Sequence, residues 1–241
     1  MKQKAWFTSL TTLALVVVCV LGCSKTGSVA TSTPSNTNSA TTPTTPADIS
    51  GDYTVAGANE DGSPYKGELA VIKHGDVYQF RWNAGKQYDG IGISNGNVVA
   101  VSFTGGANGQ GCGVVTYKVG ADGSLDGRWG MWGKDESGTE KGTRTSGSDL
   151  AGDYNTNGTN PNGTTYKGRL TVAQLAGGYS FVWSNPTATG FGIRQGDFVS
   201  VGFGGPRCAF VAYEVKPDGI LDGVWGGYGS SKTGTEKATK K

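Results

Sequence analysis

The residues with the most chemical capacity are carboxylates that occur twice. Glu140 and Glu236 each follow Gly-Thr, in Gly138-Thr139-Glu140-Lys141 and Gly234-Thr235-Glu236-Lys237. Asp52, Asp122 and Asp126 likewise return as Asp153, Asp218 and Asp222. Two carboxylates facing each other across a cleft suffice for glycoside hydrolysis, one as acid and the other as base or nucleophile. Asp122 and Asp218, however, belong to Asp-Gly turns, and Asp126 and Asp222 stand on the face opposite Leu125 and Trp129. Turn geometry accounts for the first pair, and solvent exposure is expected of the second. Glu140 and Glu236 are the least explained of these acids, and the expected role is structural: a carboxylate accepting hydrogen bonds where the last strand meets the first. Other chemistries lack their parts. His74, the single histidine, sits beside Gly75 in a turn, and Leu175 takes its place further on. With no second histidine and no Cys-x-x-Cys, nothing assembles a zinc site or a Ser–His–Asp triad. Gly90-Ile91-Gly92 is followed by no helix, so a phosphate cradle is not expected either. These residues predict neither catalysis nor a cofactor.

Two other constellations could serve binding or cross-linking. Trp132 and its counterpart Tyr228 are flanked by glycines and have the opposite parity to Trp129 and Trp225. A flat aromatic on a glycine-bared surface can stack on a sugar or anchor a protein contact, although a partly covered rim residue is the plainer expectation. Cys112 and Cys208 occupy equivalent positions, on the face shared with Val114 and Phe210. Equivalent positions meet around a local two-fold axis. A disulfide there and two separate small apolar side chains are both open.

The N-terminus directs the chain elsewhere. Lys2 and Lys4 precede the apolar run Leu13–Val18, which is too short to span a bilayer as a permanent helix. Val20-Leu21-Gly22-Cys23 then resembles a bacterial lipobox, with Cys23 as the acylated residue. The expectation is a signal peptide over residues 1–22 and a lipid anchor on Cys23. Ser24 after it favours the outer membrane in a Gram-negative host, with the globular part periplasmic or surface-exposed. Residues 23–48 carry that cysteine and a Ser/Thr/Pro-rich stretch with too little apolar area to fold, which reads as a disordered tether. Cleavage removes Lys2 and Lys4, leaving nineteen basic against nineteen acidic residues. A neutral protein offers no field for a phosphate backbone, so nucleic acid is not an expected partner.

The remainder is one unit written twice. Gly51-Asp52-Tyr53 returns as Gly152-Asp153-Tyr154, Tyr65-Lys66-Gly67 as Tyr166-Lys167-Gly168, and Trp82 as Trp183. Asp122-Gly123-Ser124-Leu125-Asp126-Gly127-Arg128-Trp129 returns as Asp218-Gly219-Ile220-Leu221-Asp222-Gly223-Val224-Trp225. A period near one hundred residues is a duplicated domain, expected over residues 49–145 and 150–241. The copies differ by small deletions near Gly85–Tyr88 and Gly106–Gly111. Within each copy apolar residues alternate, as in Tyr78, Phe80 and Trp82 or Val99, Val101 and Phe103. Asp61-Gly62, Asn95-Gly96, Asn162-Gly163 and other turn dipeptides punctuate them. This is the pattern of half-buried antiparallel strands joined by hairpins. It predicts an all-β protein of two tandem meander domains, about eight strands each, closed into small barrels; β-sandwiches are the alternative. The inward set Tyr65, Phe80, Trp82, Phe103, Tyr117 and Trp129 is bulky enough to fill such a barrel, so a packed interior is expected ahead of a hollow one.

The plan resembles the calycin group of barrels, which includes lipocalins and avidins, although Tyr53 and Tyr154 stand where a lipocalin has Trp. Over both copies, the order Gly-x-Tyr, Tyr-x-Gly, Asp-Gly-x-Leu-x-Gly-x-Trp and Gly-Thr-Glu is similar to a family of exported bacterial β-repeat proteins, some labelled fibronectin-binding. The expectation is a membrane-anchored envelope or surface binding module for a host matrix protein or a glycan. A small-ligand carrier with an apolar barrel cavity comes second, and a hydrolase using Glu140 and Glu236 last.

Overall fold

The computed structural model describes residues 48–241; Cys23, the expected signal segment and the expected tether up to residue 47 lie outside the described residues. Sixteen strands follow one another without a helix among the described residues. The first five are β1 (Gly51–Ala58), β2 (Pro64–His74), β3 (Val77–Asn83), β4 (Gln87–Asn95) and β5 (Val98–Gly105). Then come β6 (Gly113–Val119), β7 (Leu125–Met131), β8 (Gly138–Arg144), β9 (Gly152–Thr159), β10 (Thr165–Leu175), β11 (Gly178–Ser184), β12 (Thr187–Gln195) and β13 (Phe198–Phe203). The last three are β14 (Ala209–Val215), β15 (Leu221–Gly226) and β16 (Gly234–Lys240). Their turns use the expected chemistry. At Asp122-Gly123, the Asp122 carboxylate accepts the Ser124 N–H at 2.9 Å and Gly123 takes a φ of 78°, a conformation that suits glycine.

All sixteen strands are antiparallel and close into two eight-stranded barrels, but the barrels do not coincide with the two sequence copies. One barrel contains β1–β5 and β14–β16; the other contains β6–β13 without interruption. The expected domains at 49–145 and 150–241 are therefore corrected: each copy gives five strands to one barrel and three to the other. In the split barrel β5 pairs with β14, placing Val99 opposite Tyr213. In the continuous barrel β13 pairs with β6, placing Val199 opposite Tyr117. These are equivalent contacts made by exchanged partners, an internal form of domain swapping.

The crossings between barrels run through Gly106–Cys112 and Gly204–Cys208. Cys112 and Cys208 are joined by a disulfide, with Cα atoms 5.7 Å apart. On either side of it the outward faces of the barrels bury apolar side chains against each other. One cluster joins Val77, Ile91, Ile93 and Ala100 of the split barrel to Val114 of the continuous one. The other joins Phe191 and Ile193 of the continuous barrel to Phe210 and Ala212 of the split one. The equivalent strands β5 and β13 lie against each other at this seam.

Inside each barrel the packing is uneven, which corrects the expectation of a filled interior. One end is plugged. The Tyr53 hydroxyl donates to the Ile49 carbonyl at 2.6 Å, and that of Tyr154 to Leu150 at 2.7 Å. Phe80 stacks on Tyr213 at 6.1 Å above the plug of the split barrel. The opposite mouths are open, with cavities of about 350 Å³ in the split barrel and about 400 Å³ in the continuous one. Tyr117 and Trp129 line the continuous barrel rather than sharing one interior with Tyr65 and Trp82.

Candidate ligand sites at the barrel mouths

Glu236 and Glu140 form the polar floors of the two mouths. Each lies on the strand that follows a tryptophan hairpin, and the Gly-Thr-Glu motif sets both its depth and its direction. Gly234 pairs with Trp225 and Gly138 with Trp129. A Cβ at either glycine would lie 2.3 Å from the indole ring, so only glycine lets the tryptophan lie flat across its neighbour. Two residues further along the strand the same inward face presents the glutamate. Both carboxylates are buried, at 6% exposed for Glu236 and 3% for Glu140.

Three uncharged donors hold each carboxylate. Glu236 Oε1 accepts the Trp82 indole N–H at 2.9 Å and the Tyr213 hydroxyl, while Oε2 accepts the Tyr65 hydroxyl at 2.9 Å. Glu140 Oε1 accepts Trp183 Nε1 at 2.9 Å and the Tyr117 hydroxyl at 2.5 Å; its Oε2 accepts Tyr166 at 3.0 Å. A carboxylate oxygen offers two lone pairs, so one acceptor position on each Oε2 stays free. Neither glutamate takes part in an ion pair among the described residues. Burial, then the glutamate charge, then the hydrogen bond to it hold the Tyr117 and Tyr213 hydroxyls far above the usual phenol range. The same causes in the same order raise Tyr65 and Tyr166.

Aromatic rings wall the space above. In the split barrel Tyr65, Trp82, Tyr88, Phe103 and Trp225 line it; in the continuous barrel Tyr166, Trp183, Phe203 and Trp129 do so, with Ala188 where the first copy has Tyr88. The rings stand at steep angles to one another: 68° for Tyr65 and Trp225, 83° for Tyr88 and Phe103, 56° for Trp183 and Phe203. Among the described residues the buried indole N–H groups of Trp129 and Trp225 have no hydrogen-bond partner. At the rims the deletion near Gly85–Tyr88 makes the barrels differ. Gly85 and Lys86 line the first mouth, Pro186 and Thr187 the second.

The other residues singled out from sequence fall outside these mouths. Glu140 and Glu236 sit in separate barrels, and among the described residues neither pocket is lined by a second carboxylate, so these two acids do not form the paired-acid geometry of a glycosidase. Asp126 and Asp222 are exposed. Half-buried His74 has Nδ1 3.9 Å from the Asp135 carboxylate. Trp132 and Tyr228 are not brought together. Trp132 packs on the seam cluster of Val77 and Ile91, and its N–H is donated at 3.1 Å to the buried carboxylate of Asp89. Tyr228 is 53% exposed and meets Phe191 edge-on. Asp89, which also accepts the Gln79 amide, carried no signal in the sequence because the second copy has Thr189 there. The donors to the glutamates did carry one: all of them recur, whereas the rim does not. Compared with models of known families and with characterised proteins, the chain matches none.

Proposed function

We propose that this protein is a lipid-tethered envelope protein that holds small molecules in the mouths of its two barrels. The observation that carries the reading is that one pocket is built twice. A glutamate held by two tyrosines and a tryptophan, under aromatic walls, recurs in both barrels although the rim residues have diverged. A barrel fold alone needs a plug, not a buried carboxylate facing an open cavity of ligand size. Attachment through Cys23 follows from the lipobox, and a disulfide suits an exported chain. The reading of a surface binding module for a matrix protein or glycan has less support, because the Trp132 indole is engaged at the seam.

Nuclear magnetic resonance of the soluble chain from residue 24 onward tests the reading. A fragment library of mixed charge is titrated while the indole N–H signals of Trp82 and Trp183 are followed. Fragments that shift these two signals support it. Fragments that bind only elsewhere, or a library with no binders, would remove it.

A further inference from the structure

We infer that each barrel mouth is a cage for an organic ammonium ion, with Glu236 or Glu140 as the counter-charge and the aromatic rings as the wall. The inference rests on reading the mouths as ligand pockets, and it names what they select. Its first ground is charge. Each floor carries a carboxylate satisfied only by neutral donors and, among the described residues, unpaired with any cation. Such a floor repels anions and leaves a negative potential that a cation entering the mouth can use. Aromatic faces add to it, since the ring quadrupole is negative on the face.

The second ground is shape. A slot for a planar ring needs parallel walls, but these rings meet at 68° and 83° in one mouth and 56° in the other. Walls at such angles enclose a rounded head group, as alkylated ammonium groups are. The third ground is the small supply of polar contacts. A sugar needs several fixed donors and acceptors around its ring. Here three of the four acceptor positions on each carboxylate are already taken. One remaining acceptor, one unpartnered indole N–H (Trp225 or Trp129) that can donate to a hydroxyl, and a ring of π faces match a small hydroxylated cation with few or no N–H groups.

The two cages are not equal. Lys86 lines the rim of the split barrel, whereas Pro186 and Thr187 stand at the other rim and no cationic side chain lines that mouth. Rim charge therefore favours the continuous barrel as the cation site, while Ala188 there lacks the ring that Tyr88 gives the other.

Calorimetric titration of the full exported chain with choline and with its uncharged isostere 3,3-dimethylbutan-1-ol tests the inference. Choline should bind at two sites, the isostere on the order of tenfold more weakly or worse. Glu140→Gln and Glu236→Gln should each remove the preference for charge at one site. Glutamine can keep the floor intact, its carbonyl accepting the indole and one tyrosine while its amide donates to the other. Lys86→Gln should narrow the gap between the sites. Should a variant fail to fold, the comparison of the two probes on the unaltered chain still decides. Equal binding of the probes, or binding of the isostere alone, overturns the cage for ammonium but leaves the mouths as ligand pockets. Binding of neither overturns it too, and if the fragment screen is also silent the pocket reading falls with it. Co-sedimentation with phosphatidylcholine but not phosphatidylglycerol vesicles would place the head group on a lipid; binding of free choline without co-sedimentation would make it soluble. Either result supports the cage.

Discussion

Cys112 and Cys208 stand 96 residues apart in the chain and 5.7 Å apart between their Cα atoms. The bond between them ties the crossing that leaves the split barrel to the crossing that returns to it. It therefore closes a loop containing the whole of the continuous barrel.

A closed loop of that length restricts the unfolded chain, and removing it should cost about 2–4 kcal/mol. The pair Cys112→Ala and Cys208→Ala should unfold at lower urea than the oxidised protein while keeping its circular dichroism. The strand pairing of the exchange is made by hydrogen bonds and does not require the bridge. A loss of β-structure in native buffer would instead show that the bridge holds the exchange in place.

The exchange also predicts which fragments fold. Residues 113–203 contain all eight strands of one barrel in order, and expressed alone they should form a monomer that unfolds cooperatively. Residues 49–145 alone leave β5 without β14, and residues 150–241 alone leave β13 without β6, so each fragment should self-associate by swapping or pair with the other when mixed. Light scattering on the separated fragments decides, and a monomeric, cooperative 49–145 would show that a copy can close on itself.

That result bears on what the sequence can reveal. The strands, their inward faces and the barrel closure were legible, because alternation such as Tyr78, Phe80, Trp82 and turns such as Asp122-Gly123 are local signals. The exchange was not. Val99 meets Tyr213 where an unexchanged copy would offer Tyr117, and the copies present the same residue type at that register. Local pattern cannot separate two partners of equal chemistry, and the glycine-rich crossing Gly105–Gly113 reads like any hairpin loop. The site was half legible. Glu140 and Glu236 stood out as recurrent acids, and a structural role accepting hydrogen bonds was expected of them. Their donors come from three other strands each, so the cavity above them depends on packing that spacing alone does not express.

The tyrosines around each glutamate give the protein a sensitivity to base. Their hydroxyls are held protonated above the ordinary phenol value of 10.0, chiefly by burial. The unfolded chain ionises first, so the stability they contribute is whole below about pH 10 and is lost as pH rises towards the folded-state values. Unfolding free energy measured from pH 8 to pH 11.5 should fall more steeply in the unaltered protein than in the variant Tyr213→Phe. Equal slopes would mean that these hydroxyls are not the groups responsible.

Glycine at 234 is required by the indole lying across it. Gly234→Ala places a methyl group within the Trp225 ring contact, and the ring or strand must move, at a cost of about 1–3 kcal/mol. The melting temperature should fall, and binding should be disturbed in the split barrel while the continuous barrel keeps its own. Equal disturbance of both mouths would contradict the separation of the two sites.

Attachment is tested at Cys23. Cys23→Ala should shift the protein from the membrane fraction to the soluble one or halt its processing. Mass spectrometry that finds the mature N-terminus unmodified, or at another residue, would end the assignment.

The disposition of strands also sets how the molecule carries load. β1 and β16 are neighbours, with Tyr53 opposite Lys240, and the Lys241 N–H donates to the Asp52 carbonyl at 2.9 Å. Tension applied between residues 48 and 241 therefore falls first on a single seam, at the end where both strands are gripped, and peels it one rung at a time. Beyond that seam the covalent bridge between the crossings bypasses residues 113–207. Under stretch the split barrel opens as a low-force fuse, and the continuous barrel stays slack and folded behind it.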